Sequence, residues 1–248
     1  LPPSRSLSSR TIAPVLGKLA LALAVFLLIT GGWVGAQLRM AANAPLPDVV
    51  GTGRGCPLWF VGSSSIYRWK TLDRDMPSWS AHNRGIGGAL LPELTRHLAH
   101  EPESTRAPVA IVFYAGDNDI AKGASAEKTV ADFHAFLAEK DQRFPRVPML
   151  VLSIKPSPKR AALFGVQNAY DAALRRLAEQ RADLTFIDVT TPMLVNGRPG
   201  PYFIADGIHM DDAGYRIWTR HVQAGLQQAL PAGALARCAR AQAPPPSI

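Results

Sequence analysis

The stretch Leu58-Trp59-Phe60-Val61-Gly62-Ser63-Ser64-Ser65-Ile66 decides how the rest of this chain is read. Its four apolar residues are too few for a helix, are rich in aromatic and β-branched types, and end at a glycine and a run of serines. They predict a strand buried on both faces. Such a strand belongs inside a sheet covered by helices, and the turn after it lies at the sheet's carboxyl edge, where ligands sit in open α/β sheets.

Working outward, the same short apolar pattern recurs at 109–114 (VAIVFY), 149–153 (MLVLS) and 184–189 (LTFIDV), with a weaker strand before Asn83. Between these strands, 90–100, 126–142, 158–181 and 213–230 carry helical spacing. Val130, Phe133 and Leu137 form one stripe, and Tyr215, Trp218, Val222 and Leu226 another, with Asp211 or Asp212 as N-cap. Strands alternating with helices predict right-handed crossovers and a parallel sheet of about five strands with helices over it.

Composition bounds the rest. The chain has 248 residues, 47% hydrophobic, which is enough for one domain with a substantial core and excludes disorder as its main state. Its net charge of +8 sits mostly at the ends, because 57–230 holds 20 basic and 18 acidic residues. A body so nearly neutral lacks the basic footprint of a nucleic-acid partner. Two cysteines, Cys56 and Cys238, exclude a CxxC redox centre and a cysteine-built zinc site. They bracket the expected domain and are read either as a bridge between its ends in an oxidising compartment or as two unrelated thiols.

Near the N-terminus, 19–38 is apolar over 20 residues, about 30 Å as a helix. Arg5, Arg10 and Lys18 precede it, so the positive-inside bias puts the N-terminus in the cytoplasm and the remainder outside. The length favours a membrane anchor, and the alternative is a secretory signal cut after Val34-Gly35-Ala36. The expected organisation is a cytoplasmic stub and anchor at 1–38, a linker at 39–55, a domain at 56–238 and a disordered tail at 239–248.

Four loops could carry chemistry. Ser63, Ser64 and Ser65 follow the first strand, where backbone N–H groups can stabilise developing negative charge. Asn83-Arg84-Gly85-Ile86-Gly87-Gly88 offers bare backbone to a ligand, and Gly116-Asp117-Asn118-Asp119 offers a side-chain amide. Asp206-Gly207-Ile208-His209 sets a carboxylate three residues before an imidazole, as general-base activation of a serine requires. Each alone reads as a turn. All four occur in order at predicted strand ends.

On these blocks the sequence, over roughly 57–230, resembles the GDSL or SGNH hydrolases. The resemblance implies a three-layer α/β/α sandwich of the flavodoxin-like kind and ester chemistry. Ser64 would be the nucleophile and His209 the base oriented by Asp206, while Ser64, Gly88 and Asn118 would supply the oxyanion hole. No cofactor or metal is called for. The family usually has Asp before the nucleophile and this chain has Ser63, which leaves two neighbouring hydroxyls in contention. The α/β-hydrolase pattern G-x-S-x-G fits less well, since Ile66 follows Ser65. The expected substrate is a short-acyl or O-acetyl ester of a small molecule or saccharide. Acyl transfer by the same acyl-enzyme and a catalytically silent envelope-binding module stand as alternatives.

Two further groups carry charge or metal-ligating side chains. Glu93, His97, His100 and Glu101 share a helix face that admits a metal but reads better as a solvated surface. Lys155 or Arg160, in the loop after the 149–153 strand, could meet an anionic substrate group. His82, His134 and His221 show no partner in the sequence.

Overall fold

The computed structural model describes residues 9–53 and 55–241, so most of the expected stub and tail, 1–8 and 242–248, lies outside the described residues. Residues 1–44 form one unit and 45–248 another. The first unit holds helix α1 (Ser9–Ala42), on which Leu21, Leu23, Phe26, Leu27, Leu28 and Ile29 are exposed. Many side chains of the expected anchor lie outside the described set; among the described residues no helix is long and apolar enough to cross a membrane.

The second unit runs β1 (Val49–Val50), β2 (Pro57–Gly62), α2 (Ser64–Tyr67), α3 (Leu72–Asp75), β3 (Ser80–Gly85), α4 (Leu91–Ala99), β4 (Ala110–Tyr114), α5 (Asp117–Ala121) and α6 (Ala126–Arg143). It continues through β5 (Met149–Leu152), α7 (Phe164–Glu179), β6 (Leu184–Ile187), a small hairpin of β7 (Leu194–Val195) and β8 (Arg198–Pro199), α8 (Asp212–Ala229) and α9 (Ala232–Ala241). The main sheet has six strands in the order β1-β3-β2-β4-β5-β6, parallel except for β1. The weak strand before Asn83 is therefore a full member. The sixth strand, β1, comes from 39–55, the stretch expected to be a linker. Leu46 of the same stretch is buried, and its N–H donates to Glu101 at 2.9 Å.

Period-two alternation sends each strand's side chains into two cores. Leu58, Phe60, Val112, Tyr114 and Leu150 face Trp218, Val222 and Leu226, the stripe of α8. Trp59, Val61, Ile111, Phe113 and Val151 face Leu94 of α4, Phe133 and Leu137 of α6 and Leu174 of α7. Asp211 is the N-cap of α8, accepting from Gly214 N–H at 2.9 Å. The helix expected over 158–181 is two pieces: a 3-10 turn at Pro158–Leu163, with Arg160 outside helical geometry at φ −113°, ψ 18°, and then α7. Cys56 and Cys238 form a disulfide joining the residue before β2 to α9, which settles between bridge and free thiols.

One buried acid makes this fold pH-sensitive. Burial pushes the Asp171 carboxyl up to about 8, although Ile154 N–H donates to both of its oxygens. The native state then holds a proton that the unfolded chain has lost above about pH 4, so stability falls as pH rises from there toward 8. Asp171→Asn stays neutral and keeps an acceptor. Its urea midpoint is expected to gain on wild type progressively between pH 5 and 8, by up to about 1.4 kcal/mol per pH unit. A constant offset across that range would contradict the assignment.

Candidate active site

The strand order places the site. Apart from β1, the parallel strands run 2-1-3-4-5 in chain order, so the connections lead off in opposite directions from β2, and in such sheets ligands bind at the carboxyl ends of the strands at this switch point. At Gly62 the backbone passes so close to β4 that a Cβ would lie 2.1 Å from the Tyr114 carbonyl oxygen, and Ser63 N–H then donates to that oxygen at 3.0 Å. The chain turns directly into α2, whose first residue is Ser64. Ser63 and Ser65 are buried beside it.

The loop after β8 meets Ser64. Ile204 N–H donates to the His209 carbonyl, and Asp206 accepts from the N–H groups of Ile208 and His209 at 2.8 and 2.9 Å. The turn therefore folds back with carboxylate and imidazole side by side. Asp206 Oδ2 lies 2.6 Å from His209 Nδ1, and His209 Nε2 lies 2.9 Å from Ser64 Oγ. Burial is the largest single influence on the Asp206 carboxyl and opposes its ionisation, but hydrogen bonds from the His209 ring and the two backbone N–H groups together outweigh it and hold the carboxyl far below its usual range. It stays a carboxylate wherever an imidazole titrates, fixes the proton on Nδ1, and leaves Nε2 to accept the Ser64 proton. Of the three serines, Ser64 alone has this partner among the described contacts.

The glycine block turns at Gly88, where φ is +76° and a Cβ would meet nothing within 4 Å. The left-handed backbone rather than crowding selects glycine there. Two residues after β4 hold this turn: Asn118 Nδ2 donates to Ala89 O at 3.1 Å, and Asp119 accepts from Leu91 N–H at 3.1 Å. Gly88, in the loop after β3, and Asn118, in the first turn of α5 after β4, thus follow the strands on either side of β2.

Beneath Asn118 lies a polar cluster that sequence reasoning read differently. Lys155 is 1% exposed and cannot reach a substrate. It donates to Asp117 Oδ2 at 2.8 Å and to Tyr114 Oη at 3.0 Å. Asp117 also accepts from Gln167 at 3.1 Å and lies 2.6 Å from Arg160 Nη1. Burial opposes ionisation of Asp117, and Lys155 and Arg160 outweigh it, holding the carboxyl below its usual range. Burial likewise pulls the Lys155 ammonium down, with Asp117 opposing. The basic loop was the visible signal; that Asp117, at the start of α5, would pair with both of its cations was not visible.

The other candidates have structural work. Glu93 closes the first turn of α4 by accepting from Leu90 N–H, and His100 Nδ1 lies 2.8 Å from the Arg96 carbonyl. Glu101 is buried against Arg84 at 3.1 Å, so it belongs to no solvated face. Among the described residues no group of three His, Cys, Asp or Glu could hold a metal. His82 pairs with Asp48 at 2.8 Å.

A family model for GDSL-like lipases and acylhydrolases matches residues 48–217. Among curated proteins none matches the sequence. Solved structures share the fold: a GDSL-like lipase from Bacteroides thetaiotaomicron is 19% identical, covers 70% of this chain and 89% of its own, and has a TM-score of 0.58. A carbohydrate esterase family 3 protein from Talaromyces cellulolyticus is 17% identical over 70% and 97% of the two chains, with a TM-score of 0.56. The catalytic domain of Streptococcus pneumoniae peptidoglycan O-acetyltransferase A is 16% identical over 71% and 96%, at 0.53. With the family match spanning well over half the sequence, the chain belongs to the GDSL-like lipase/acylhydrolase family, serine hydrolases that act on esters.

Proposed function

We propose that the chain is a serine esterase that hydrolyses carboxylic esters with short acyl groups, O-acetyl groups on small molecules or saccharides among them, through an acyl-enzyme at Ser64. The carrying observation is the unbroken relay from Asp206 through His209 to Ser64, at 2.6 and 2.9 Å. His209 Nε2 takes the Ser64 proton as Oγ bonds to the ester carbonyl carbon. The resulting oxyanion accepts from the N–H groups of Ser64 and Gly88 and from the Asn118 amide. As the tetrahedral intermediate collapses, His209 returns the proton to the departing alkoxide oxygen. Water then repeats the sequence, releasing the acid and restoring Ser64.

The Cys56–Cys238 disulfide supports action in an oxidising compartment outside the cytoplasm. Two free thiols in exported protein, by mass spectrometry without reductant, would remove that support.

Labelling with a fluorophosphonate probe followed by peptide mapping tests the mechanism. The adduct is expected on Ser64, with none on Ser63 or Ser65. Turnover of p-nitrophenyl acetate that survives unchanged in Ser64→Ala would sink the acyl-enzyme. The same assay run with a sugar acceptor separates hydrolysis from transfer, since an acetylated sugar in place of acetate would move the reading to a transferase.

A further inference from the structure

Arg160 is the cation of this cluster that reaches Asn118. Its Nη2 donates to Asn118 Oδ1 at 3.0 Å, while its Nη1 lies 2.6 Å from Asp117 Oδ1. The backbone at Arg160 leaves helical geometry in the same place, and the side chain is 15% exposed. We propose that Arg160 is a positioning residue: anchored on the buried Asp117–Lys155 pair, it fixes the Asn118 carboxamide in the orientation that aims an N–H at the oxyanion. This rests on the acyl-enzyme reading above.

The physical need is plain. A carboxamide has a donor end and an acceptor end of nearly the same shape, and a flipped Asn118 would point its carbonyl oxygen at developing negative charge. Both neighbours of the amide enforce one orientation. The Ala89 carbonyl accepts one hydrogen of Nδ2, Arg160 donates to Oδ1, and the second hydrogen of Nδ2 is left for a ligand. A donor set in place before the reaction costs no reorganisation when charge develops, which is where oxyanion holes gain their effect. The cluster also carries two cations against one carboxylate, so its surplus charge next to Asn118 has the sign that favours the oxyanion.

Removing Arg160 still leaves Asp117 with Lys155, Gln167 and Tyr114 as partners. The test measures kcat and KM on p-nitrophenyl acetate for wild type, Arg160→Met, Arg160→Lys, Asn118→Ala, and Arg160→Met combined with Asn118→Ala. Arg160→Met is expected to lower kcat about 10- to 100-fold with KM little changed, and Asn118→Ala about 100- to 1,000-fold. Arg160→Lys, which restores charge to Asp117 but lacks the planar fork that serves both partners, should recover part of the loss. In the Asn118→Ala background Arg160→Met should cost nothing further, because no amide remains to orient.

Wild-type kcat in Arg160→Met, or losses that multiply in the double variant, would overturn the proposal. If Arg160→Met fails to fold, the same comparison is made with Arg160→Lys in both backgrounds. Ser64→Ala separates the two levels. Turnover that persists without Ser64 removes the acyl-enzyme reading and this proposal with it, whereas turnover that depends on Ser64 but ignores Arg160 removes the proposal alone.

Discussion

Replacing Ser64 with alanine is expected to lower kcat/KM for p-nitrophenyl acetate by about four to six orders of magnitude, the range in which loss of an activated nucleophile falls. His209→Ala should cost nearly as much. The double variant should be little worse than either alone, since the two side chains act as one unit across a 2.9 Å contact. Asp206→Asn leaves the shape intact but offers an amide where the imidazole needs an acceptor, so it should fall between wild type and these losses. Neither Ser63→Ala nor Ser65→Ala should behave this way: both hydroxyls are buried, and that of Ser65 has no hydrogen-bond partner among the described atoms. Steady-state kinetics on the five single variants checks the pattern. A large loss at Ser63 together with a small one at Ser64 would move the nucleophile by one residue and break the relay argument.

The second large effect is on stability. Cys56 and Cys238 close a loop of 182 residues, almost the whole second unit. In the chain-entropy model such a closure restricts the unfolded ensemble by ~5 kcal/mol, comparable to the entire stability of many domains. The bridge also ties α9 to the chain just before β2, and Cys238 is buried in the same core cluster as Trp79, Leu226 and Leu230. Replacing both cysteines by alanine is expected to lower the urea midpoint strongly and Tm by more than 10 °C, at about 2–4 °C per kcal/mol for a domain of this size. The catalytic relay lies at the opposite end of β2 from Cys56 and contains neither sulfur, so the variant should keep its kcat below its unfolding temperature. An unchanged midpoint after reduction would mean that the bridge constrains a chain already compact when unfolded.

Much of the site was legible because its chemistry is local. Asp206 and His209 stand three residues apart on one turn, and the turn's own backbone N–H groups set the carboxylate. The serine block follows an apolar run whose length and composition mark it as a buried strand, whereas the strand that leads into the glycine block is largely polar and gave only a weak signal. What sequence reasoning misread were residues whose partners lie far along the chain. Lys155 and Arg160 look like cations free to meet an anionic substrate until Asp117, 38 positions from Lys155, pairs with both. Glu101 looks like part of a solvated helix face until Arg84 and the Leu46 N–H bury it. The stretch 39–55 looks like a linker, rich in glycine and proline, yet two valines are enough to add an antiparallel strand to an open sheet edge.

The sequence by itself determined the alternation of strands and helices, the order of the four loops and the family, because periodicity, turn residues and short motifs are properties of neighbouring positions. The likeness to the family points to Ser64, but only the tertiary structure decided that its hydroxyl meets the imidazole, since that contact joins residues 145 apart. The burial of the Lys155–Asp117 pair and its link through Arg160 to Asn118 were decided there as well. Whether a charge faces water or a partner is fixed by packing, which no local pattern encodes.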